Sequence, residues 1–121
     1  MGKAFENIEE EIRKEKAESL GRAGERLEQI LQELRIIRQE LLERTATGFR
    51  SDPAVSPHVL AEVNEKVMAY ARMRSRAWQL RHYLVVQREA VGLWRHEDVD
   101  RLYPIPPPFS LPPVNQNGER R

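Results

Sequence analysis

Hydrophobic residues in the first third of the chain recur at alternating steps of three and four. Leu20, Ala23, Leu27, Ile30, Leu34, Ile37 and Leu41 keep this rhythm, which is the seam of a coiled-coil helix. Upstream, Phe5, Ile8 and Ile12 stay on the same stripe only through extra four-residue steps past Lys16, a stutter that relaxes supercoiling locally. No proline interrupts the span, and the pattern predicts a helix over about 3–45.

The rhythm breaks at "TATGFRSDPAVSPH", where Gly48, Pro53 and Pro57 sit among Ser, Thr and Asp and mark a loop over about 46–56. Ser56 followed by Pro57 reads as a helix N-cap with proline at the first helical position. A second helix is expected over about 57–95, with a short further turn over 96–102 that Pro104 ends. Its apolar residues form two stripes. Met73, Ala77, Leu80, Leu84 and Val91 make one, and Leu60, Val67, Trp78 and Val85 make another about 110° away at the helical step of 100° per residue. Two stripes imply two neighbours, and helix 1 supplies only one of them.

The expected fold is therefore all-α: an antiparallel two-helix coiled-coil hairpin over residues 1–103, dimerising into a four-helix bundle. Residues 104–121 hold six of the eight prolines and read as an extended, Pro-rich C-terminal tail. The residues expected to carry packing and self-association are Leu27, Ile30, Leu34, Ile37, Leu41, Trp78, Leu80, Leu84 and Val91.

Composition narrows the chemistry. Among 121 residues, 32% are charged and 7% aromatic, a balance that suits long helices. A net charge of +1 selects neither nucleic acid nor an anionic membrane in bulk. Cysteine is absent, which removes disulfides and thiolate chemistry and accords with a cytoplasmic location. The charged N-terminal stretch has no signal-peptide core, and no apolar run is long enough to span a bilayer. No membrane partner is expected.

The charge pattern is most distinctive in "RMRSRAWQLRHYLVVQR" (Arg72–Arg88), which has five arginines and no acid. Arg74, Arg81, Arg88 and Arg95 are spaced by seven and fall between the two apolar stripes, where long stems cover apolar surface and heads seek carboxylates. With the loop centred near Ser51, Arg74 would face Glu25 and Glu28, Arg81 would face Glu18, and Arg88 would face Glu15. Arg95 would face Glu6, Glu9, Glu10 and Glu11. Pairing of this kind sets register more than stability. The second reading is a face for nucleic acid or an acidic partner, made by Arg72, Arg74, Arg76, Arg81 and Arg88 with Lys66, Trp78 and Tyr83.

The remaining motifs carry less. Gly21 and Gly24 cost a helix interior about 1 kcal/mol each, and Gly24 is expected opposite Trp78. His58, His82 and His96 lack partners at metal-ligand spacing, since Asp100 stands where "HEDVD" would need its second histidine. No metal, cofactor or catalytic residue is expected. "RLYPIPP" fits the loose pattern of polyproline ligands. Tyr103, Ile105 and Phe109 are too apolar for a solvated linker and are expected to dock near Leu93 and Trp94. The function these readings point to is a non-enzymatic scaffold or adaptor whose partners are itself and another protein. The alternative is a nucleic-acid accessory protein using the basic Lys66–Arg88 face.

Overall fold

The computed structural model describes residues 2–45, 49 and 52–111. They form three helices, α1 (Gly2–Arg44), α2 (Pro57–Ala90) and α3 (Glu97–Leu102). The described residues contain no strand, and the two long helices pack against each other as a hairpin. Thr47, Gly48 and Ser51 of the expected loop, and the tail from Pro112 onward, lie outside the described residues.

Local chemistry sets the helix ends. Thr45 closes α1: both its amide and its Oγ1 donate to the Leu41 carbonyl, at 2.9 and 2.6 Å. Ser56 caps α2 by accepting the Val59 amide at 3.1 Å, and Pro57 follows at the first helical position. The second helix stops at Ala90 rather than near Arg95. Gly92 adopts φ +88° there, and its amide reaches the Glu89 carbonyl at 3.0 Å while the Leu93 amide reaches Arg88 at 2.8 Å. These two bonds form a Schellman stop, which needs a left-handed residue that glycine adopts without a Cβ clash. After the short link that follows, α3 runs to Leu102 and yields at Pro104.

The chain divides into two compact units. One joins residues up to Leu31 with Arg76–Ile105. Its buried side chains are Ala23, Leu27 and Leu31 of α1, Ala77, Leu80 and Leu84 of α2, and Val99 of α3. The other joins Gln32–Ser75 with the residues from Pro106 on, and buries Leu34, Leu41, Thr45, Val63 and Tyr70. Burying a side chain of Leu, Val or Tyr size contributes roughly 1.5–3 kcal/mol, so these few positions dominate each core.

The buried line on α1 differs from the seam expected from periodicity. Leu27, Leu34 and Leu41 are fully buried, but Leu31 (2% exposed) joins them while Ile30 and Ile37 are only half-buried. On α2 the buried side chains are Val63, Tyr70, Ala77 and Leu84, spaced by seven, with Leu80 between the last two. Of the expected second stripe, Leu60, Val67 and Val85 are half-buried and Trp78 is 46% exposed.

Candidate functional site on the arginine face of α2

The arginines spaced by seven on α2 hold the chain's own C-terminal segment. In the first unit, Arg88 donates to the Arg95 carbonyl at 3.4 Å. Arg81 ion-pairs with Asp100 of α3, and its guanidinium lies 5.0 Å above the Trp78 ring. In the second unit, Arg74 Nε donates to the Pro106 carbonyl at 2.7 Å. One turn earlier, Tyr70 donates its hydroxyl to the Pro107 carbonyl at 2.8 Å. The Tyr70 ring meets Phe109 edge-on, with centroids 6.4 Å apart and planes at 75°.

This corrects the pairing expected with α1. Arg81 meets Asp100 rather than Glu18, Arg88 meets a carbonyl rather than Glu15, and Arg95 pairs with Glu97 rather than with the acids near the N-terminus. An ion pair that does join α1 to α2 is Arg44–Glu62, at 3.6 Å and well exposed. The neighbour of the stripe was misassigned because the facing rule counted two helices and left the returning segment out.

Burial and charge both act on Tyr70. It is fully buried, and this raises its hydroxyl pKa above the ordinary tyrosine value; the nearby charges of Arg38 and Arg74 offset part of the rise. The hydroxyl therefore remains a donor across neutral pH. Arg38 is half-buried, and its Nε is covered with no acceptor among the described residues.

The other residues singled out by sequence fall in varied places. Leu80 and Leu84 are buried, and Val91 is 37% exposed. Arg72 and Arg76 are exposed, apart from the engaged Arg74, Arg81 and Arg88. Tyr103, Ile105 and Phe109 are half-buried. Tyr103, not Trp78, covers Gly24: a Cβ at Gly24 would come within 2.7 Å of the Tyr103 hydroxyl oxygen. Tyr70, Leu31 and Val99 went unrecognised, though Tyr70 sits one heptad from both Val63 and Ala77. At the α2–α3 link, His96 Nε2 lies 2.9 Å from Glu89 Oε2. No group of three or more His, Cys, Asp or Glu among the described residues could hold a metal ion. No helix among them is long and apolar enough to cross a membrane.

A groove of about 440 Å³ opens between α1 and the end of α2 in the first unit. Ala17, Leu20, Ala90, Val91 and Leu93 line it with apolar surface, and Arg13 and Lys16 add charge. Comparison with known protein families, curated proteins and solved structures finds no match to this chain.

Proposed function

We propose that the protein is a non-enzymatic helical adaptor that self-associates and assembles with another protein. The observation that carries this reading is the apolar surface left open in the first unit. Val86, Leu93 and Trp94 are 45%, 43% and 66% exposed, and Val91 and Leu93 continue into the groove beside Leu20. Exposed apolar side chains beside an apolar groove suit a protein contact site, and burying them yields about 25 cal/mol per Å². A second copy is the occupant in this reading: α2 carries more apolar surface than α1 covers, and a two-fold axis lets one patch cover itself. The basic face gives weaker support for nucleic acid, because Arg74, Arg81 and Arg88 are engaged within the chain.

Light scattering on the full chain should give a dimer or larger at micromolar concentration, and Trp94→Ala should shift it toward monomer. A monomer that melts cooperatively at the same concentration contradicts self-association. Freshly purified protein should also show a protein-like absorbance ratio; co-purifying nucleic acid would favour the basic-face alternative.

A further inference from the structure

We infer that the Tyr70–Arg74 groove is a binding site for proline-rich main chain, occupied in cis by residues 106–109, and that its ligand in trans is a proline-rich segment of a partner protein bearing an acidic residue. This goes beyond the adaptor reading and does not depend on self-association, which concerns other residues.

The groove's polar groups are donors. Tyr70 gives its hydroxyl hydrogen to Pro107 and Arg74 gives its Nε hydrogen to Pro106, while Arg38 beside Tyr70 has donors only. An ordinary main chain offers one N–H for every carbonyl and would leave those N–H groups facing donors. Proline offers the carbonyl alone. A donor-only groove therefore fits a main chain that only accepts. Extended proline-rich chain also points its carbonyls outward and loses little entropy on docking. Phe109 adds side-chain selection, two residues beyond Pro107, by setting its ring against Tyr70. The readable pattern is Pro-Pro-x-aromatic.

The cis occupant does not exhaust the groove. Arg38 Nε is buried with no acceptor among the described residues, and the segment "PIPPPFSL" (Pro104–Leu111) contains no acid to pair with Arg38. A carboxylate there would make a charge-assisted bond, about twice as strong as a neutral one. A second copy would bring the same neutral segment and gain nothing over the cis contact. A partner segment with an acid gains what both lack. The cis segment's advantage is its effective concentration, in the millimolar range for a short connection.

The test uses two fluorescent peptides: "PIPPPFSL", and the same sequence with glutamate for Ser110. Each is titrated with the full chain and with its Phe109→Ala variant, whose own aromatic anchor is gone. Phe109→Ala should bind the neutral peptide about tenfold tighter than the unaltered chain, since losing an anchor of about 1.4 kcal/mol releases the groove by that factor. The acidic peptide should bind several-fold tighter again, with the difference shrinking as salt rises. Adding Tyr70→Phe should weaken binding about two- to tenfold, the worth of one hydrogen bond. Circular dichroism checks helicity, and Phe109→Leu is the second releasing variant if alanine costs helix. No binding to either variant, or binding indifferent to Tyr70→Phe, overturns the site. An acidic peptide no tighter than the neutral one overturns the assigned partner. So does a dimer that the neutral peptide splits into monomers, because a second copy's tail would then be the occupant.

Discussion

Gly21 and Gly24 stand three residues apart on α1 with opposite surroundings. A Cβ at Gly21 would meet nothing within 4 Å, whereas one at Gly24 would meet the Tyr103 hydroxyl oxygen at 2.7 Å. Gly21→Ala should therefore raise stability by up to about 1 kcal/mol through helix propensity alone. Gly24→Ala should gain less or lose, and Tyr103→Phe in that background should recover part of the difference; thermal melts of the four chains check this. The sequence marked both glycines as costly in a helix, but nothing in it distinguished a covered glycine from an open one. Tyr103 lies 79 positions away by its number, beyond a chain reversal that periodicity does not encode. At Tyr70 the prediction concerns pH. Its raised pKa means that above the ordinary tyrosine value the unfolded chain loses a proton that the folded chain keeps. The resulting stabilisation is present below about pH 10 and is lost as pH rises through the raised value. Phenolate absorbance should show Tyr70 titrating above the ordinary tyrosine value, and stability should begin to fall above about pH 10.

Among the elements, α1 was legible as a helix but only half legible as a surface. From Leu27 a step of three reaches Ile30 and a step of four reaches Leu31, and both continue to Leu34. Periodicity cannot choose between them. The structure buries Leu31 and leaves Ile30 half-covered. Leu31→Ala should cost about 2–5 kcal/mol and Ile30→Ala distinctly less, as denaturant unfolding would show. On α2 the stripe of arginines was readable from spacing by seven, yet its partners were not, because short α3 carries Asp100 and the prolines carry no charge. Arg81→Glu should lower the melting temperature by setting acid beside Asp100. Adding Asp100→Arg should restore part of the loss; a chain indifferent to both changes would mean that the pair is idle. The effect should be modest, since Asp100 is largely exposed and such pairs contribute roughly 0–1 kcal/mol.

At the scale of the whole molecule, near-neutral net charge conceals how the cations are used. The chain totals +1, but Arg74, Arg81 and Arg88 each hold something that follows α2 in sequence. Two apolar stripes on α2 led to the expectation of a second neighbour for that helix, yet Trp78 of the second stripe is 46% exposed and the segment that returns to α2 is held by Tyr70 and the arginines. What patterning could not supply was that the chain's own Pro106 and Pro107 return to α2, because "YPIPPPFSL" has no helical or strand period and reads as a tail. Whether the Pro-rich segment lies on Tyr70 within the single chain is tested most directly by nuclear Overhauser contacts between the Tyr70 and Phe109 rings. The structure predicts ring-to-ring contacts whose strength does not change with protein concentration. Phe109 at random-coil shifts without such contacts, or contacts seen only between differently labelled chains, would contradict it.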